Sequence, residues 1–118
     1  IGIWLTEGGK SKVEVFKKDG KYYAKIIWLK TPNYEDGTPK IDKNNPNEKL
    51  NKRPIIGMEI LQGLEWDDDE FEEGEIYDPE SGKTYSCEAE FDGMDKLNVR
   101  GFIGFSMIGR TTVWTRVK

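Results

Sequence analysis

The stretch KVEVFKKDGKYYAKIIWL, residues 12–29, decides the fold. From Lys12 to Lys17 polar and apolar residues alternate, the two-residue period of a strand with one buried face, and Val13 and Val15 point inward. Asp19-Gly20 comes next, a dipeptide that readily takes the positive φ angles of a tight primed hairpin turn. Tyr22 to Leu29 is rich in aromatic and β-branched residues, which suit a pleated, half-buried surface. On the N-terminal side, Ile3-Trp4-Leu5-Thr6 predicts one more strand, turned back by Gly8-Gly9. These three segments form a meander.

Residues 31–54 change character. Pro32, Asn33, Asp36-Gly37, Pro39, Asn44-Asn45-Pro46 and Pro54 punctuate a polar stretch without strand pattern. Pro46 suits the first position of a helix, so Asn45 to Leu50 predicts one short helical turn. Loops this long are uncommon in compact domains; both a structural cap over a barrel end and a functional gate fit.

Strand pattern resumes at Ile56 to Leu61. The acidic run Asp67-Asp68-Asp69-Glu70, with Glu72, Glu73 and Glu75, reads as a solvated hairpin tip ahead of Ile76-Tyr77. Asp78 to Lys83 is a turn, and Thr84 to Phe91 alternates cleanly, with Tyr85, Cys87, Ala89 and Phe91 on one face. Asp92-Gly93 leads into Lys96 to Phe102, and a glycine-rich corner (Gly101, Gly104, Gly109) into Thr111 to Val117. The sum predicts an all-β chain: an antiparallel up-and-down barrel of about eight strands with one long loop after the third.

At 118 residues the chain suffices for one domain, residues 1–118. Charged residues make up 34% and the net charge is −4, which argues against a nucleic-acid partner, since phosphates demand a basic face. No apolar run approaches the roughly 20 residues of a transmembrane helix. The sequence has no histidine, which removes Ser-His-Asp and Cys-His catalysis and His-ligated metals, and its single cysteine, Cys87, forms no internal disulfide. Neither a cofactor nor a metal site is expected. The chain starts at Ile1 rather than Met, a trace that a removed signal peptide leaves and that other trimming leaves too.

Gly2-Ile3-Trp4 resembles the glycine-x-tryptophan signature of lipocalins. In that family the Trp closes one barrel end and a late-strand Arg packs across its ring; Arg116 matches that Arg, with Arg110 as substitute. The whole chain also resembles an uncharacterised bacterial domain-of-unknown-function family of small secreted lipocalin-like barrels. The matching stretches include Ile26-Ile27-Trp28-Leu29, Asp42-Lys43-Asn44-Asn45-Pro46, Arg53-Pro54-Ile55-Ile56-Gly57, Ile76-Tyr77-Asp78-Pro79, Arg100-Gly101-Phe102 and Trp114-Thr115-Arg116. The resemblance implies signal peptides and a periplasmic or secreted location, and it carries no catalytic residue set.

An eight-stranded barrel is just wide enough to fill itself or to hold one small ligand. Trp28, Tyr77, Tyr85, Phe102 and Trp114 are the large rings on probable strands, and for each of them core packing competes with ligand contact. Arg100 and Arg110, if inward, need an anionic partner, from the protein or from a ligand. These seven residues are the candidate interior ligand-binding set, and Gly2, Trp4 and Arg116 the candidate barrel-end closure. Asp42 to Glu48 faintly echoes a calcium loop but lacks its glycine and distal Glu, so Asx turns are the simpler account. Asp78 beside Tyr77 is the carboxylate to test for catalysis, although Asp78-Pro79 reads as turn initiation; Cys87 reads as an inert core thiol. The expected function is non-enzymatic binding of a small apolar or acidic-apolar ligand in the bacterial envelope or outside the cell. The alternative is an envelope interaction module, its barrel filled, acting through rim loops. The sequence leaves the oligomeric state open.

Overall fold

Eight antiparallel strands follow one another around a closed barrel in chain order in the computed structural model, which describes residues 2–103 and 109–117. They are β1 (Gly2–Leu5), β2 (Ser11–Lys18), β3 (Lys21–Leu29), β4 (Glu59–Asp67), β5 (Glu70–Asp78), β6 (Lys83–Phe91), β7 (Lys96–Phe102) and β8 (Gly109–Arg116). The barrel closes where Trp4 and Leu5 of β1 lie opposite Arg116 and Thr115 of β8. β1 is only four residues long, and a 3-10 turn over Glu7–Gly9 follows it. There the Glu7 carboxylate accepts the Val113 backbone N–H at 3.3 Å, serving β8 beyond the end of its partner strand.

The hairpin at Asp19-Gly20 has positive φ at both residues, 53° and 80°, as a primed turn requires. Val13 and Val15 face inward and are buried, as the alternation predicts. The interior is completed by Ala24, Ile26, Ile60, Leu61, Leu64, Phe71, Cys87, Ala89, Leu97, Val99 and Trp114, one contribution or more from each strand after the second, and by Met58 of the long segment.

Two expectations of local structure change. The acidic run is not a hairpin tip as a whole: only Asp68-Asp69 turn, while Glu70 to Glu75 are ladder residues of β5. The segment around Asn45 to Leu50 makes turns rather than a helix, because its side chains take over the backbone donors. Asn45 Oδ1 accepts the Asn47 N–H at 2.8 Å and Asn47 Oδ1 accepts that of Lys49 at 3.0 Å, two consecutive Asx turns.

The topology makes the two barrel ends unlike. One end carries the short β2–β3, β4–β5 and β6–β7 hairpins together with the start of β1 and the end of β8. The other carries the 3-10 turn, the β5–β6 turn, the end of β7, the start of β8 and the long segment 30–58. That segment folds on itself through the bridges Asn33↔Pro39 and Ile41↔Pro54. It also rests on the β5–β6 turn: Asn44 Nδ2 donates to the Pro79 and Glu80 carbonyls at 3.1 and 3.0 Å. The Asn44 carbonyl occupies the place where any side chain at Gly82 would stand.

Candidate functional site

Burial along the inward faces of β5, β6 and β8 grades from one barrel end to the other, whereas on β4 it runs the opposite way, with Ile60 and Leu61 buried towards the loop end and Trp66 exposed at the hairpin end. On β6, Ala89 and Cys87 are buried and Tyr85 is half-buried; on β8, Trp114 is buried, Thr112 half-buried and Arg110 exposed. On β5, Phe71 and Gly74 are buried and Ile76 is half-buried. On this side of the barrel the hairpin end is filled and the loop end opens, while Met58 and Ile60, with Leu29 and Ile55 packed against the core, close the loop end on the β3–β4 side. Ile76, Tyr85 and Thr112 form the wall of that mouth, around a position that Gly101 leaves without a side chain. A Cβ at Gly101 would meet the Ile76 Cγ2 at 3.4 Å and the Tyr85 Cβ at 3.5 Å, which places both side chains on the inner side.

The filled end is an aromatic plug. Trp4 is 1% exposed, and its ring lies 6.1 Å from that of Phe91, which lies 5.7 Å from Phe71; Trp66 completes the group edge-on at 4.8 Å from Phe71. The Arg116 guanidinium lies over the Trp4 ring, 4.4 Å from its centroid. Gly2 makes room for it: φ is +127°, and a Cβ there would stand 3.1 Å from an Arg116 guanidinium nitrogen. The Trp4 indole N–H has no hydrogen-bond partner among the described residues.

Of the seven candidate interior residues, the structure brings Tyr85 and Trp114 inside. Trp28 is turned outward, 39% exposed, with the Lys12 ammonium 4.9 Å from its ring centroid. The cause is a bulge: Lys12 pairs with Trp28 but Val13 pairs with Ile26, so Ile27 is an extra residue that reverses the alternation. Arg100 and Phe102 also lie outside, because Leu97 and Val99 claim the inner face of β7 and the intervening residues must point away. Arg100 pairs there with Glu88 at 3.3 Å and stacks over the Phe102 ring at 5.4 Å. An open groove of about 570 Å³ runs over this outer face, lined by Glu75, Ser86, Glu88 and Phe102 among others. Arg110 sits at the rim with its side chain 83% exposed, 3.7 Å from Glu7.

Tyr77 plays a part that the sequence did not disclose. Its hydroxyl donates to Asp42 Oδ1 at 2.7 Å, and Asp42 Oδ2 accepts from Asn45 Nδ2 at 2.8 Å and from Arg53 Nε at 3.3 Å. Asp42 is 0% exposed, so a fully buried carboxylate ties the long segment to β5 at the mouth. Burial and the bond to Asp42 push the Tyr77 hydroxyl up to about 12. The one sequence signal that touches this network is Asp42-Lys43-Asn44-Asn45, read above for its oxygen ligands. Among the described residues no three or more of His, Cys, Asp and Glu are grouped to hold a metal ion. Asp78 caps its own turn, accepting the Glu80 N–H at 3.0 Å and the Ser81 hydroxyl at 2.9 Å. Cys87 is buried, and burial, with Glu88 adding, pushes its thiol up to about 12, far from the thiolate a nucleophile needs. What the mouth offers chemically is an apolar and aromatic wall with the Tyr85 and Thr112 hydroxyls set into it.

No helix among the described residues is long and apolar enough to cross a membrane. No curated protein matches the chain. A solved structure that is similar, protein HP1028 from the human pathogen Helicobacter pylori, belongs to the lipocalin family. It shares 30% sequence identity, with a TM-score of 0.85, over 99% of this chain and 82% of that one. The closed eight-strand barrel is thus lipocalin-like. Residues 2–116 match the family model of an uncharacterised protein conserved in bacteria, DUF2147, and the chain belongs to that family.

Proposed function

We propose that the chain is a non-enzymatic receptor for a small apolar or acidic-apolar molecule, taken up end-on through the mouth, in the bacterial envelope or outside the cell. The observation that carries this reading is the burial gradient along β5, β6 and β8: Phe71, Ala89 and Trp114 are buried, and Ile76, Tyr85 and Thr112 are half-exposed. Apolar walls with a few fixed polar groups are what small-molecule sites are built from. The lipocalin likeness of a neighbour at 30% identity supports the same reading. Lys30 is exposed at this end, and Lys10 and Arg110 form exposed pairs there with Glu80 and Glu7, at 3.9 and 3.7 Å, for which an acidic group can compete. The location outside the cytoplasm rests on the family resemblance.

Native mass spectrometry of protein purified from its own organism, with organic extraction of what it retains, is the direct test. A titration with 1-anilinonaphthalene-8-sulfonate, an apolar anion, adds a structural one. Gly101→Leu fills the space between Ile76 and Tyr85 and is expected to weaken the dye by about tenfold, or 1.4 kcal/mol, with the circular dichroism unchanged. Empty native protein together with dye binding indifferent to Gly101→Leu refutes the reading. A second reading, a rim that engages another protein, is favoured by Leu50, Ile56 and Ile103, which stand 37%, 45% and 62% exposed on the loops of this end.

A further inference from the structure

The plugged end of the barrel shows more apolar surface than closure requires. Trp66 is 46% exposed, Phe91 39% and Met94 84%, and the ring contacts make the first two neighbours, 6.3 Å apart. Met94 projects from the β6–β7 turn beside Phe91, and the two line an open notch of about 620 Å³ with Gly93, Asp95 and Arg116. The turn is not a loose tip. Arg116 Nε donates to the Met94 carbonyl at 3.0 Å, the Arg116 N–H to the Asp95 carbonyl at 2.8 Å and the Asp92 N–H to the Lys96 carbonyl at 2.9 Å. The guanidinium that packs on Trp4 therefore also fixes the turn, and a large flexible side chain is held out in water on a rigid support. Exposed contiguous apolar surface of this kind marks interaction sites, and methionine is a residue that adapts to a partner's shape.

To one side of the notch, on β4 to β6 and their turns, lies a collar of carboxylates. Asp67, Glu70 and Glu90 lie side by side across β4, β5 and β6, and the adjoining turns add Asp68, Asp69 and Asp92. Like charges directly opposite across strands destabilise a sheet. None of these six enters an ion pair among the described residues; the ion pairs there use Glu7, Glu14, Asp42, Glu80 and Glu88. Nearby, a hydrogen bond to Asp67, desolvation and the surrounding carboxylates raise the Glu72 carboxyl above its ordinary value. The same end carries Lys17, Lys18 and Lys21 around the β2–β3 hairpin, Lys96 on β7 and Arg116 in the notch, so the acidic surplus lies on the β4–β6 side, where it is complementary to an apolar side chain carried beside cations. A second copy of the chain, with a net charge of −4 and the same collar, would set like against like.

The geometry points to the plugged end as a docking surface for a basic segment of another protein, one whose large apolar side chain seats between Phe91 and Met94 while its Lys or Arg residues meet the collar. This surface is separate from the mouth and stands or falls independently of any ligand bound there.

The test is a selection of random displayed peptides on the immobilised chain, followed by titration of the enriched peptides using tryptophan fluorescence. Enriched sequences should join Leu, Phe or Trp to Lys or Arg. Met94→Ser, at a position already in water, should weaken them about tenfold, and neutralising the tip as Asp67→Asn, Asp68→Asn, Asp69→Asn should weaken them and flatten their salt dependence. The inference is overturned if nothing is enriched, if the enriched peptides are acidic, or if Met94→Ser leaves their affinity unchanged. It is overturned equally if sedimentation shows a dimer that Met94→Ser dissolves, which would give the notch to a second copy.

Discussion

Replacing Tyr77 by Phe tests whether the buried Asp42 network holds the long segment over the mouth. The substitution keeps the ring against the core and deletes one oxygen, the donor 2.7 Å from Asp42 Oδ1. A hydrogen bond to a charged group contributes about 1.5–3 kcal/mol, and here the carboxylate is 0% exposed and keeps only Asn45 and Arg53 as partners. We expect Tyr77→Phe to cost about 2 kcal/mol. At about 2 cal/mol/K per residue, a chain of this length loses about 4 °C per kcal/mol, so the melting temperature should fall by about 8 °C. Asp42→Ala strands the Tyr77 hydroxyl and releases Arg53. Because the Arg53 side chain is 37% exposed and can turn to water, the cost should lie at the lower edge of the ~3–5 kcal/mol for breaking a buried pair. Urea unfolding of Tyr77→Phe, Asp42→Asn and the double variant closes a cycle, with a coupling of about 1–2 kcal/mol expected. Hydrogen exchange localises it: the amides of Asp42 and Ile55, bonded to the Arg53 and Lys40 carbonyls, should exchange faster while those of β2 do not. A cost for Tyr77→Phe below about 0.5 kcal/mol, or additivity in the cycle, refutes the latch.

Truncating Trp4 or Arg116 singly and together should reveal a coupling of about 0.5–2 kcal/mol in unfolding free energy, and additive losses would mean that the stacked guanidinium contributes nothing. Gly2→Ala should cost about 1–3 kcal/mol, since it meets both the positive φ and the Arg116 guanidinium; an unchanged denaturation midpoint would contradict that geometry. Native Cys87 should resist thiol reagents at pH 8 until global unfolding, and modification at the rate of a free thiol would show the barrel wall opening locally. The native Tyr77 hydroxyl holds its proton up to about 12, against an ordinary value of 10, so its stabilisation is complete below pH 10 and is lost as pH rises towards 12. Denaturation midpoints across that window should fall more steeply for the parent chain than for Tyr77→Phe, and equal slopes would unseat the assignment.

Much of the barrel is legible where one face alternates and a tight turn follows, as in Lys12 to Gly20 and Thr84 to Gly93. β5 is illegible for a structural reason. Its inward positions are Phe71, Gly74 and Ile76, spaced three and then two because the register shifts between Phe71 and Gly74, with Glu73 at φ 60°. The middle inward position is also a glycine, since a Cβ there would stand 2.6 Å from Leu64 Cδ2. With no side chain at the middle inward position and glutamates outside, the centre of the strand shows only its acids. The same arithmetic misplaces Trp28, where one extra residue at Ile27 sends an expected interior ring outward.

Arg100 and Phe102 fail differently. The alternation Leu97, Val99, Gly101 already assigns the inner face of β7 and leaves both residues outside, so parity was a better guide than the size of a ring or the charge of a guanidinium. The mouth itself shows in no single residue, because it consists of a difference in burial between chemically similar inward positions. What sets that difference is the shape of the two ends. Rings of β1, β4, β5 and β6 converge on the plug and leave no room, whereas at the mouth Gly101 withholds a side chain and the long segment is tied to β5 by a carboxylate 35 residues away from its Tyr77 partner. A contact of that sequence separation leaves no local period. Because Tyr77 stands next to Ile76 in the mouth wall, loosening Asp42 should change what the barrel admits before it changes whether the barrel folds, and dye on-rates in Tyr77→Phe equal to those of the parent chain below the melting transition would refute that coupling.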